Sequence, residues 1–375
     1  MKEKEKMKVA ILTYHTSLNM GAVLQCYALQ ETIEKVLKCR CEVLDYHSEY
    51  FDDIYNVKRL TDQRNLKDLI KWFLTHKHKK VSFEKFKHFR EQFLHLSDNV
   101  YTKTTIKSSN KLYNVFVTGS DQVWNSNLNN DDTTYFLDFV NDKNVKTSYA
   151  ASFGSKDCTE FVAKNLKEFL KKYKAVSVRE KEGIAIIKKY IPKMKVTQVL
   201  DPTLLPSVDL WESMINERIV KDAYILVYKI ADTPNMLDFA RDLSKKTGMK
   251  IICIHNSYNH YKGMNNITDA SPLEFLNYLK YAEYVISSSF HGVCFSLNLQ
   301  KEFFYELDSR KINNNSRIIS LIDIVGLKSR EIKSKSYHKV EKIDYLDVNK
   351  KLALAKSDSI KYIKKIGEVY NEERR

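Results

Sequence analysis

No two of the six cysteines, Cys26, Cys39, Cys41, Cys158, Cys253 and Cys294, stand at CxxC spacing, and their intervals are irregular. That excludes a zinc cluster and a disulfide-stapled scaffold, and a reducing cytoplasm suits the chain best. No apolar run approaches the length of a membrane span, and the opening MKEKEKMK followed by VAILTY has too short an apolar stretch for a signal-peptide core. The expected location is therefore cytoplasmic, with no integral membrane segment and only peripheral contact with the inner face of a membrane left open. A GxGxxG fingerprint is also missing: the turn after the first apolar run, from His15 to Ala22, has Gly21 alone. His76, His78 and His88 lack carboxylate or cysteine companions at metal-ligand spacing, so no metal is expected.

What is present is enough for two cores. At 375 residues, with 43% hydrophobic and 12% aromatic side chains, the chain exceeds what one core usually supports. A formal charge of +15 implies anionic partners without saying which. The lysines are scattered over the whole length, which argues against a dedicated nucleic-acid face.

The periodicity alternates strand and helix. Lys8 to Tyr14 predicts a buried strand, Ala22 to Leu37 a helix and Cys41 to Tyr46 a strand, a βαβ opening. Asn65 to Leu96 carries Trp72, Phe73, Phe83, Phe86, Phe89 and Phe93 among lysines and histidines, and predicts a helical hairpin or lid with one core-facing aromatic stripe. Strands follow at Val115 to Thr118, Lys146 to Ser152, Ala175 to Val178 and Thr197 to Leu200. From Leu205 a second set begins, with strands at Tyr224 to Ile230, Lys250 to His255, Tyr284 to Ser287 and Glu302 to Glu306. The expected class is α/β, two Rossmann-like parallel-sheet domains facing across a cleft.

Candidate site residues cluster at the ends of these strands. Ser287-Ser288-Ser289-Phe290-His291-Gly292 leaves a strand and opens a helix, which sets free backbone N–H groups beside an imidazole and suits a phosphate or carboxylate. The plain alternative is a serine N-cap with a histidine packed under it. Asn19, Gly21 and Ala22 occupy the turn after the first strand, where α/β sheets bind ligands, or simply make that turn. Asp121 and Trp124 suggest a sugar platform, the alternative being a buried indole and a capping aspartate. Arg179 can grip a carboxylate or phosphate, or pair with Glu180 or Glu182. Asp201-Pro202 is a binding residue with its turn, or only a turn.

Taken in order, LTYHTSLNMGAVLQCYALQ, VTGSDQVWN, YFLDF, SYAASFG, SVRE, VLDPTLL and SSSFHGVCFSLNL resemble the polysaccharide pyruvyl transferase family along most of the chain. The resemblance implies a GT-B-like pair of domains: residues 1–204 on the acceptor side, with a helical insertion at about 56–100, residues 205–345 on the donor side, and residues 346–375 as a C-terminal helix returning to the first domain. It implies transfer of the enolpyruvyl unit of phosphoenolpyruvate onto two hydroxyls of a sugar, giving a pyruvate ketal and phosphate, with no other cofactor. The acceptor would belong to a cell-surface polysaccharide, an exopolysaccharide for example, or to its lipid-linked precursor, and the oligomeric state stays open between monomer and homo-oligomer.

His291 matches the family's histidine in its His-Gly motif, where that residue contacts donor phosphate or protonates the methylene carbon. His291, Arg179 and the Ser288, Ser289, Phe290 and Gly292 turn would hold the donor, and Asp121, Trp124 and the Asn19 to Ala22 turn the acceptor. Asp121 and Asp201 are candidates for the base that activates the sugar hydroxyl. Family members often carry arginine two positions before this histidine; here Ser289 stands there, so Arg310, Arg317 or Lys301 would have to supply the charge. Two other readings compete. One is a glycosyltransferase using a nucleotide sugar, disfavoured because the second domain lacks a pair of glutamates eight residues apart. The other is a non-catalytic basic protein that binds glycan or nucleic acid.

Overall fold

The computed structural model describes residues 6–55, 66–231, 233–256, 259–310 and 315–373. Two parallel sheets organise them. The first is seven-stranded in the order β3-β2-β1-β4-β5-β6-β7. It is built from β1 (Lys8–Leu12), β2 (Arg40–Tyr46), β3 (Leu96–Tyr101), β4 (Val115–Thr118), β5 (Val145–Ser148), β6 (Tyr173–Val178) and β7 (Val196–Gln198). The second is five-stranded in the order β10-β9-β8-β11-β12. Its strands are β8 (Tyr224–Lys229), β9 (Lys250–His255), β10 (Asn265–Ile267), β11 (Tyr284–Ser287) and β12 (Glu302–Tyr305). The central strands β1, β4, β8 and β11 are apolar nearly throughout, as strands covered on both faces must be.

Strand order reverses between β1 and β4 in the first sheet and between β8 and β11 in the second. Those are the places where an open α/β sheet leaves a crevice at its carboxyl edge. Thr13 Oγ1 donates to the Ser120 carbonyl (3.0 Å) and Tyr14 Oη to that of Gln122 (2.9 Å), so the loops after β1 and β4 are tied across the first crevice.

Helix α1 (Met20–Leu37) starts on Asn19, whose side chain accepts the N–H groups of Gly21 and Ala22. Helix α2 (Glu49–Tyr55) buries Phe51 against Tyr14. Helix α3 (Leu66–Phe93) runs unbroken, which corrects the expected hairpin: neither glycine nor proline interrupts those residues. Its Phe86 and Phe89 are buried, and Phe89 and Phe93 meet the Tyr27 ring of α1 edge-on. The side chain of Phe73 and all of residues 56–65 lie outside the described residues. Lys85 on α3 pairs with Glu274 on α9 (Pro272–Tyr281) at 2.8 Å, so α3 bridges from α1 to the second sheet's helical layer. β3, which falls at the end of the expected insertion, is an edge strand whose half-exposed LSDNVY pattern carries no strand signature.

Between β4 and β7 the helices are α4 (Ser126–Asn129), α5 (Glu160–Leu170) and α6 (Lys181–Tyr190), and α7 (Val208–Ser213) and α8 (Met236–Thr247) flank β8. In the second sheet α10 (Phe290–Asn298) follows β11, and α11 (Ser316–Val325) follows β12. The last helix, α12 (Tyr345–Glu372), lies on the first sheet: Tyr362 Oη donates to the Ser148 carbonyl (2.9 Å), and Ser359 Oγ accepts the Leu200 N–H (2.9 Å). Among the described residues no helix is long and apolar enough to cross a membrane.

Candidate functional site

The two crevices meet where α1 and α10 begin. Gly21, in the first turn of α1, stands so close to His291, in the first turn of α10, that a Cβ on Gly21 would fall 1.9 Å from the imidazole Nδ1. The glycine is therefore required by a neighbour from the other sheet's layer, not by turn geometry. Gly21→Ala must push the imidazole or the two helices apart. It is expected to cost about 1–3 kcal/mol of stability, read as a lowered urea midpoint, together with most of the activity.

Arg179 sits at the carboxyl end of β6, 4% exposed, among three carboxylates: Asp201 at 2.7 Å, Asp121 at 3.3 Å and Glu180 at 3.7 Å. Burial alone would depress its basicity, but Asp201, Asp121 and Glu180 outweigh burial and hold it firmly charged. Asp201 follows β7. One of its oxygens, Oδ1, accepts from the N–H and the hydroxyl of Thr203 and caps a 3-10 turn at Pro202–Leu204; the other, Oδ2, faces Arg179 and lies 3.5 Å from His291 Nε2. Burial would raise the Asp201 carboxyl, yet His291 and then Arg179 pull it well below the usual carboxylate range. Asp201 thus makes the expected turn and also carries the charge that Arg179 matches. Glu180 is pushed up by burial, with Arg179 and the Ser152 hydroxyl opposing.

Phe290 opens α10 and carries a guanidinium on its ring: Arg179 lies 4.7 Å from the centroid, with Arg317 of α11 at 5.9 Å. Burial and the neighbouring Arg179 charge lower the basicity of Arg317. Arg179, Asp201, Phe290, Arg317 and Ser320 line a constricted recess together with Leu204 and Leu321, with a volume of about 10 Å³, close to that of a single water molecule. The buried Arg317 Nε at this recess has no hydrogen-bond partner, whereas Arg179 Nε faces Glu180 at 3.7 Å and the nearby His291 Nε2 faces Asp201 at 3.5 Å. Unpaired buried donors are costly unless a ligand completes them.

Several expected ligand contacts are spent elsewhere. Trp124 is 1% exposed and stacks on Phe136 at 5.6 Å, so it is a core anchor and not a sugar platform. Ser288 Oγ accepts the N–H groups of Ile230 and Ala231, and Ser289 caps α10 through the N–H of Gly292. The serine that stands in place of the family's arginine thus has a structural task. Gly292 is fixed by packing, since a Cβ there would meet Ser287 Oγ at 2.1 Å. Asn19 is a helix cap, and Ala22 is buried behind it. Arg310 is exposed, its N–H on Asp308. Lys301 precedes β12 and donates to the Lys280 carbonyl, at the edge of the sheet opposite the site.

His291, Arg179, Asp121, Asp201, Phe290 and Arg317 are therefore the sequence candidates that converge. Glu180 was visible only as a neighbour of Arg179. A further grouping, His15, Asp45 and His47, gathers its ligand atoms within 4.8 Å of one another at the carboxyl ends of β1 and β2. It escaped the sequence reading because His15 and the Asp45/His47 pair are separated by the whole of α1.

The model of one protein family, polysaccharide pyruvyl transferase, matches residues 19–305. No curated protein sequence matches the chain. Among solved structures, UDP-GlcNAc 2-epimerase from Methanocaldococcus jannaschii is similar at 11% identity and TM-score 0.47, covering 93% of this chain and 92% of that one. A second UDP-N-acetylglucosamine 2-epimerase gives 9% identity and TM-score 0.48 over 99% of this chain and 94% of that one. An α-glucosyltransferase bound to UDP and DNA gives 10% identity and TM-score 0.43 over 98% and 95%.

Proposed function

The chain belongs to the polysaccharide pyruvyl transferase family, and from that premise we propose that it moves the enolpyruvyl group of phosphoenolpyruvate onto a sugar of a cell-surface polysaccharide or of its lipid-linked precursor. The observation that carries the reading is the buried Arg317 guanidinium, whose Nε has no hydrogen-bond partner, set beside Arg179 at a constricted recess near the seam of the two sheets, with His291 close by. Phosphoenolpyruvate offers a carboxylate and a phosphate. The amides of Phe290 and His291 at the start of α10, ahead of the capped Gly292, and the Arg317 guanidinium are oriented donors for such groups.

Arg179 has a different role from the one its sequence position suggests. Its charge is matched by Asp201, with Asp121 and Glu180 beside it, so it positions those carboxylates. Asp201 in turn steadies a protonated His291, which delivers a proton to the methylene carbon as the first sugar hydroxyl bonds to the central carbon. The second hydroxyl then displaces phosphate. One hydroxyl proton replaces the proton that His291 gave to the new methyl group, and the other leaves with phosphate. Asp121, with 12% of its side chain exposed, is the carboxylate left facing the acceptor.

The test is phosphate release from phosphoenolpyruvate across a panel of free and lipid-linked oligosaccharides, with the mass of the product followed in parallel. A productive acceptor is expected to gain the mass of a pyruvate ketal. Saturable binding of a nucleotide sugar, with none of phosphoenolpyruvate, would replace this reading by glycosyl transfer.

A further inference from the structure

We propose that His15, Asp45 and His47 form a binding site for a divalent transition-metal ion at the carboxyl edge of β1 and β2, distinct from the donor cleft. Parallel pairing sets Ile11 opposite Val43, and continuing that register brings the residues just beyond each strand level with one another. His15 Nε2 lies 2.9 Å and His47 Nε2 3.0 Å from the same oxygen, Asp45 Oδ1.

The far nitrogens decide how these contacts are to be read. His15 Nδ1 faces the Thr13 carbonyl at 3.4 Å and His47 Nδ1 faces Asp52 Oδ1 at 3.1 Å. A carbonyl and a carboxylate only accept, so in the tautomer with the proton on Nδ1 each ring keeps its outer contact and turns the Nε2 lone pair toward the same place as Asp45 Oδ1.

A metal ion suits that tautomer. Outer acceptors on Nδ1 that leave Nε2 free are the arrangement that orients metal-binding histidines. Ligand bonds of about 2.0–2.2 Å place adjacent ligand atoms roughly 3 Å apart, which is the spacing of each imidazole nitrogen from Asp45 Oδ1. Two imidazoles and one carboxylate suit zinc, iron or manganese better than magnesium or calcium. His47 and Asp45 keep 36% and 19% of their side chains exposed, so an ion has a route in and open positions for water or an oxygen ligand. The Arg90 guanidinium of α3 also interacts with Asp45 and limits the net negative charge, which makes the imidazoles the deciding ligands.

The test uses the full chain, stripped by chelator and titrated with Co²⁺ followed by its visible spectrum, and with Zn²⁺ followed by thermal shift and bound metal after dialysis. One ion per chain is expected, with a ligand-field band and a raised Tm. His47→Ala, at a partly exposed position, should keep the fold and weaken binding by more than about 100-fold. Asp52→Asn should weaken it by about 10–100-fold. His78→Ala, at an exposed pair with Asp269 elsewhere, should change nothing. No Co²⁺ band in the unaltered chain, or equal binding by folded His47→Ala, would overturn the proposal. Because the readout is metal alone, it stands or falls separately from pyruvyl transfer.

Discussion

Replacing His291 with alanine is expected to reduce phosphate release from phosphoenolpyruvate by about 10²–10⁴-fold with the true acceptor, the range typical of a removed proton donor. The effect should fall on kcat, because the N–H groups of α10 and Arg317 would still hold the donor. The fold should survive: Asp201 keeps its partner Arg179 at 2.7 Å and its bonds to Thr203. His291→Gln restores a neutral nitrogen beside Gly21 without a titrating group, so it should stay slow while improving packing over alanine. Unchanged turnover in either variant would remove the imidazole from the chemistry and leave it as a wedge between α1 and α10.

Arg179→Met is the larger effect on stability. The guanidinium lies among Asp201, Asp121 and Glu180, with Asp201 and Glu180 both 0% exposed in their side chains. Removing one partner of a buried ionic cluster typically costs about 3–5 kcal/mol, since the remaining charges stay desolvated and unmatched. The pH dependence gives this origin a signature. In the unaltered protein the Asp201 carboxyl is held below its unfolded value, so its contribution is present above the unfolded range and lost as acid is added. In Arg179→Met the carboxyl of Glu180, already raised by burial, loses its main opposing charge, while Asp201 keeps His291 but is depressed less, so the loss of stability relative to the unaltered protein should be smaller at about pH 5 than at about pH 7. A variant that loses little stability, or loses it equally at both values, would mean that Arg179 is not the counter-charge of this cluster. Arg179→Lys should recover only part of the loss, because a single ammonium cannot serve carboxylates on separate sides as a fork does.

Much of the architecture was legible because its carriers are local. Val115–Thr118, Lys250–His255 and Tyr284–Ser287 are short apolar runs bounded by polar residues, and the strands occupy those same positions. Two edge strands, β3 and β10, were not legible: they pair on one side only and their sequences need not be apolar, whereas the edge strand β12 keeps an apolar run. Of the site, the residues with rare chemistry at strand ends were found, and their partners were not. Trp124 shows the limit. Its neighbours Asp121 and Asn125 resemble a sugar platform in sequence, yet Phe136 and Phe153 enclose the indole.

What the amino-acid order determined by itself is the rhythm of strand and helix, the serine cap and histidine of α10, and an arginine and aspartates at strand ends, because these depend on side-chain period and on neighbours a few residues away. Only the tertiary structure decided that Arg179 is matched by Asp201, that Gly21 makes room for His291, and that Arg317 comes within reach of Phe290. Those relations join residues from separate elements, and burial at the seam between the two sheets sets how strongly their charges act.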